Sequence, residues 1–421
     1  MKELKDFISN FLSRSGSYVF TSTILSRLLS FFASWIALQM IPNKELGIVI
    51  YAFQIILFII PIGSLGLNQG LLRYGALLVS INDKNKLFSY VLKNGILVSL
   101  LLIILIILFS FLINFQHENT RFYLILLSLT ITSNFIFELI NIQLRLHMNN
   151  KLFSIAEFTY NLLLVFFVFT LSYRFQELGY AISLIITPLI TSLLFIKKLN
   201  IKIKGISTPN IVDFTFWRYG FFASLSNVTT QLLFSIDIIL IGGLLKNMET
   251  VTAFKYVSLI PFSLLFLSRV VITTDFVNFT EQINHKIYIK NYIKNYIKIF
   301  TIISLACVSV VSLFSTTILS FFDKDYLSYQ STLIILTIGI SGILILRGLF
   351  GNLLSSIGKA HVNFIITSIA LILNLGFNYY LIPKYGLLGA AITSSFLMWF
   401  SGILSLILFY YFFNKTNNAK N

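Results

Sequence analysis

The stretch LFSYVLKNGILVSLLLIILIILFSFLIN (87–114) is 28 residues long, and Lys93 is its one charged side chain. About 20 apolar residues in a helix cross the ~30 Å hydrocarbon layer of a bilayer. The run therefore predicts a spanning helix with residues to spare, which would tilt or project from the membrane. Eleven comparable runs lie on either side of it, at roughly 18–40, 46–66, 122–142, 152–173, 178–196, 218–245, 251–273, 296–322, 329–353, 361–382 and 386–413. The expected fold is all-α and integral to the membrane, with about twelve transmembrane helices.

Composition agrees. Hydrophobic residues make up 57% of the 421 and charged residues 11%. Soluble domains carry roughly 25% charged residues, so this chain could not cover a water-facing surface. In lipid, helices satisfy their own backbone groups. The net charge of +16 is no sign of nucleic-acid binding, because the basic residues sit between apolar runs and form no basic face on a folded domain. With the N-terminus placed in the cytoplasm, twenty lysines and arginines fall in loops on that side and six on the other. This is the positive-inside pattern, and both termini are expected inside. The opening MKELKDFISNFLSRSG (1–16) has no short apolar core with a cleavage site and reads as an uncleaved amphipathic lead-in.

The longest basic, polar connector, KKLNIKIKGISTPNIVDFTFW (197–217), falls at the midpoint. It divides the chain into an N-terminal six-helix lobe (1–196), a cytoplasmic linker (197–217) and a C-terminal six-helix lobe (218–421). Six spans return the chain to its starting side, so a repeat would be parallel, about an axis along the membrane normal. Paired features support duplication: Asn43 with Asn247, Tyr51 with Tyr256, Pro61 with Pro261, and Asn161 before LGYAIS (178–183) with Asn374 before LGAAIT (388–393).

Little points to covalent chemistry. GNLLSSIGKA (351–360) has the wrong glycine spacing for a phosphate loop and Ala360 in place of the metal-binding hydroxyl. The four histidines lie in separate loops or span ends, and Cys307 is alone, so neither a metal site nor a cofactor is expected. The informative residues are ionisable groups at membrane depth, which cost several kcal/mol unless they face water or a partner. Arg27 shares a helical face with Thr23, Ser30 and Ser34; this fits a water-lined lumen or a structural pair with Asp237. The seventh span carries Ser224, Asn227, Gln231 and Ser235, with Thr230 and Asp237 on a neighbouring arc; these line a cavity or join helices. Glu138 and Glu157 are carboxylates for ion coupling, or partners for Lys93 or Arg145. Lys255, Arg269 and Arg347 add positive charge to the second lobe; the last two lie near span ends and could snorkel. Pro61 and the glycines of GSLGLNQGLL (63–72), which precedes Arg73, either hinge the second span or serve packing.

The stretch LILNLGFNYYLIPKYGLLGAAIT (371–393) resembles an element of the polysaccharide flippases of the Wzx type, in the multidrug/oligosaccharidyl-lipid/polysaccharide exporter superfamily. Asn374, Pro383, Tyr385, Gly386, Gly389, Ala390 and Ala391 carry the likeness, with Gly66 and Arg73 near the second span. The resemblance implies two six-helix lobes in a V around a cationic cavity. It also implies a non-enzymatic flippase for undecaprenyl-diphosphate-linked oligosaccharide units, working by alternating access in the bacterial inner membrane. Its partners would be the lipid-linked cargo, membrane lipid, and the polymerase and chain-length proteins of the pathway. Guanidinium groups suit diphosphates and acidic sugars. The rivals are a multidrug exporter of the same superfamily and a membrane glycosyltransferase such as an O-antigen polymerase or ligase. The latter enzymes generally carry a long periplasmic loop, and every periplasmic loop expected here is short.

Overall fold

The computed structural model describes residues 17–115, 117, 119–147, 149–199, 211–269, 271–272, 282–283, 285–357 and 359–418. The lead-in (1–16), the greater part of the linker (200–210) and residues 270 and 273 of the expected eighth span lie outside them.

Within the described residues, the expected spans overlap helical segments. The chain runs α1 (Ser17–Met40), α2 (Asn43–Ile59), α3 (Leu67–Leu77), α4 (Ile81–Leu112), α5 (Thr120–Leu146), α6 (Asn150–Ile196), α7 (Phe214–Leu245), α8 (Met248–Ser263), α9 (Lys286–Leu313), α10 (Ser315–Phe322), α11 (Gln330–Gly342), α12 (Gly348–Ser356), α13 (Ala360–Tyr385) and α14 (Leu387–Asn418). Among the described residues, nine helical stretches are long and apolar enough to cross a membrane by length and composition. One of them, Lys151–Leu199, has 49 residues. It breaks at Gln176 (φ 47°, ψ −125°) and so contains both the fifth and sixth expected spans. Helix starts follow local chemistry. The Asn149 side chain accepts from the Leu152 backbone N–H at 3.0 Å to cap α6. Asp213 accepts from the Phe216 N–H at 2.8 Å ahead of α7, and that bond holds its carboxyl below the usual range.

Two compact units form. One holds Thr21–Ser235 with Asn247–Thr252, the other Ile236–Lys246 with Ala253–Asn421. The first packs Leu67, Leu71, Phe88, Val91, Leu139 and Phe216 into a dry core. The second does the same with Tyr296, Phe300, Ile340, Leu344, Phe350 and Phe409.

A duplicated turn links their designs. Gln176 and Gly386 (φ 59°, ψ −134°) share one backbone conformation. Three residues on, a Cβ at Gly179 would sit 2.1 Å from the Leu171 carbonyl oxygen, and one at Gly389 would sit 2.3 Å from that of Leu381. Ser183 then donates to the Gly179 carbonyl at 2.7 Å, and Thr393 to that of Gly389 at 3.0 Å. In this register Asn161 stands opposite Leu371 and Asn374 opposite Leu164. The pairing of the two asparagines expected from sequence is thus displaced by nearly a helical turn.

A positive φ at a non-glycine residue outside the ordinary wells costs on the order of 1–3 kcal/mol. Gln176→Gly is therefore expected to raise the melting temperature of the purified protein in detergent. Gly386→Ala should lower it, although a Cβ there meets nothing within 4 Å. A Gln176→Gly protein no more stable than wild type would show that the turn stores no strain.

Candidate functional site

In the first unit a polar column crosses the apolar helices. The side chain of Asn68, at the start of α3, is 3% exposed. Its Oδ1 accepts from the Ser64 hydroxyl at 3.1 Å and from the Gln69 N–H at 3.0 Å, and its Nδ2 donates to Glu138 Oε2 at 2.7 Å. On α5, Asn134, Glu138, Asn141 and Arg145 recur at four- and three-residue spacing, so they share an arc of about 60° at ~100° per residue. Asn141 Nδ2 donates to Glu157 Oε1 on α6 at 2.7 Å. The guanidinium of Arg27, on α1, lies within electrostatic reach of Glu157.

This changes two sequence expectations. Amides hold Glu138 and Glu157, not Lys93 or Arg145; Arg145 lies over the Phe153 ring at 5.5 Å. Within its own unit Arg27 has Glu157 in electrostatic reach, an acid the sequence had not offered as its partner. Arg27 is exposed half-way along α1, with Ser30 and Ser34 half-buried beside it; the Ser34 hydroxyl donates to the Ser30 carbonyl at 3.1 Å. The Thr23 side chain lies outside the described residues. At mid-membrane depth an exposed guanidinium facing lipid would cost several kcal/mol, so it needs a wet environment.

The α7 stripe is mixed. Ser224 and Ser235 are buried, and Ser224 donates to the Phe221 carbonyl at 2.8 Å. Gln231 reaches Ser235 only at 3.4 Å, and Asn227 is exposed. The Thr230 side chain lies outside the described residues. Near the start of the same helix, Arg73 stacks over Tyr219 at 4.2 Å. Packing, not hinging alone, fixes the glycines before Arg73. Gly66 has φ +81°, and a Cβ there would lie 1.9 Å from the Gly220 carbonyl oxygen.

In the second unit Asp237, 1% exposed, is fully enclosed. Its Oδ1 accepts from Asn374 Nδ2 at 3.0 Å and Asn378 Nδ2 at 2.7 Å, and its Oδ2 accepts from the Ser394 hydroxyl. Asn378 Nδ2 also donates to Asn374 Oδ1 at 2.9 Å. The donors to Asp237 are all neutral. Arg347 does not snorkel. It ends a π-helical turn (Ile343–Arg347) and donates to Asn363 Oδ1 at 3.0 Å, Ser405 Oγ at 2.6 Å and Thr367 Oγ1 at 3.2 Å, clasping α13 and α14. Lys255 is half-buried on α8 and Arg269 is exposed.

Sequence reading missed Asn68, Asn141, Asn378 and Ser394 as partners of the buried acids. Two signals were present: the recurrence of Asn134, Glu138, Asn141 and Arg145, and the four-residue spacing of Asn374 and Asn378.

No protein-family model matches the chain. Over 112 residues, 26% of the chain, it is 40% identical to the capsular polysaccharide biosynthesis protein CapF of Staphylococcus aureus, spanning 27% of that protein's length. Among solved structures it is similar to the lipid II flippase MurJ in an inward closed conformation, with TM-score 0.74 and 20% identity over 92% of this chain and 86% of that one. It is also similar to an inward-facing multidrug resistance MATE family transporter of the MOP superfamily, with TM-score 0.69 and 16% identity over 96% and 100% of the two chains. The chain therefore has the two-lobe, all-helical fold of these membrane transporters.

Proposed function

We propose that the protein is a flippase that carries an undecaprenyl-diphosphate-linked oligosaccharide unit across a bacterial inner membrane by alternating access. The observation that carries this reading is Arg27: an exposed guanidinium half-way along the apolar helix α1. A diphosphate-sugar headgroup is anionic, large and polar, and a guanidinium can grip it with two parallel hydrogen bonds. Asn227 and Gln231 of the same unit as Arg27 are neutral contacts, and Lys255 and Arg269 are cations of the other unit. Arg347 clasps α13 and α14 within that second unit. Glu138, Glu157 and Asp237 are the carboxylates available for ion coupling. The likeness to a lipid II flippase and the local likeness to a capsule biosynthesis protein both favour a polyprenyl-linked sugar cargo. Both termini lie in the cytoplasm in this reading, and a polymerase and chain-length proteins act on the product.

The fold is shared with multidrug transporters, so drug export is the competing reading. The test is reconstitution in vesicles loaded with a fluorescent undecaprenyl-diphosphate oligosaccharide, scored by access of an impermeant lectin to the flipped sugar. Protein-dependent exposure of the sugar is the expected result. Vesicles that expel lipophilic cations but leave the sugar lipid on its original leaflet would overturn it.

A further inference from the structure

α9 begins KIYIKNYIKNYIKIF (286–300), a repeat of four residues with lysine at 286, 290, 294 and 298. Its tyrosines face inward. Tyr292 and Tyr296 are buried, and the Tyr296 hydroxyl donates to the Leu344 carbonyl at 3.1 Å. All four lysines are exposed, and so are Ile287 (79%) and Asn291. None of the described acids forms an ion pair with them; the ion pair found among described residues joins Lys86 and Asp83 on α4.

The same face continues into the span. At about 100° per residue, Lys294, Lys298, Ile302 and Leu305 fall within an arc of roughly 80°, and Ile302 (56%) and Leu305 (63%) are exposed. Large apolar side chains exposed on a spanning helix face acyl chains. A face that meets acyl chains lower down meets headgroups where it leaves the hydrocarbon. Residues 299–322 carry no charge and suffice for the ~30 Å layer. Lys298 and Lys294 then stand within about 10 Å of its edge at ~1.5 Å per residue, at the level of the phosphates. Lys290 and Lys286 stand further out.

We infer that this lysine row is a binding surface for anionic phospholipid headgroups of the leaflet at this end of the molecule. The inference rests on the chain spanning a membrane and not on the identity of its cargo. A lysine close to an anionic bilayer surface strengthens binding by about 5-fold, and the effect fades beyond a Debye length of ~8 Å. The two inner lysines should therefore dominate.

The experiment is native mass spectrometry of the full-length protein in detergent, with phosphatidylglycerol or phosphatidylcholine of identical acyl chains. Wild type should retain phosphatidylglycerol preferentially. Lys294→Gln with Lys298→Gln should cut that preference by about 10-fold or more, and Lys294→Arg with Lys298→Arg should keep it. Lys286→Gln with Lys290→Gln should cut it by less than ~5-fold. An inner glutamine pair that keeps the preference overturns the assignment, as does an outer pair that loses as much. Wild-type protein that retains soluble polyglutamate as well as it retains phosphatidylglycerol overturns it in favour of an acidic polypeptide.

Discussion

Arg27→Ala is expected to abolish polymer export while the protein still accumulates in the membrane. A hydrogen bond to a charged group contributes about 1.5–3 kcal/mol, so losing two parallel ones accounts for a fall of ~100-fold or more. Arg27→Lys should be partly active, since it keeps the charge and loses the fork. The competing explanation is that Arg27 serves only to neutralise Glu157, the carboxylate its charge reaches. The double variant Arg27→Ala with Glu157→Gln separates the two. Recovery of export in the double variant would show that the arginine serves its neighbour and not the cargo. Because Arg27 is exposed, the pair itself should add little to stability. Abundance should therefore hardly change in any of the three variants.

The second large effect concerns the fold. Asp237→Ala would leave the Asn374 amide and the Ser394 hydroxyl without their acceptor in a site that is 1% exposed, and Asn378 with only its bond to Asn374 Oδ1. Each unpaired buried group costs about 1–3 kcal/mol, so the two together cost about 2–6 kcal/mol. Membrane abundance and melting temperature should both drop. Asp237→Asn retains an oxygen for Asn374 and Asn378, and the Ser394 hydroxyl can turn to accept. That variant should remain near wild-type abundance. An alanine variant as abundant and stable as wild type would show that the cluster does not hold α7 to α13 and α14.

The fold could be read from sequence because the constraint is one-dimensional. A helix crossing lipid needs about 20 apolar residues whatever its neighbours are, so the run at 87–114 could be recognised alone. The turn at Gln176 was legible for a similar reason: it separates two such runs. The candidate site was legible only in part. Depth along a span marks Arg27, Glu138, Glu157 and Asp237 as costly charges. It says nothing about what neutralises them, because those partners are set by packing. Asp237 finds its donors 137 to 157 positions along the chain. The local sequence equally allowed Arg27 as its partner. Arg347 shows the same limit: its place near a span end suggested snorkelling, and only the approach of α13 and α14 turns it inward.

The spacing of the α9 lysines has a mechanical side. An α-helix turns once in 3.6 residues, so a row spaced at four advances about 40° per step, and Lys286 to Lys298 wind through roughly 120° like a thread on a screw. A straight row would lose its hold whenever the helix rolled about its own axis. A winding row exchanges one tooth for the next as it rolls. The two inner lysines, Lys294 and Lys298, differ by about 40°, so α9 can roll by that much and still present a positive charge to the phosphate plane.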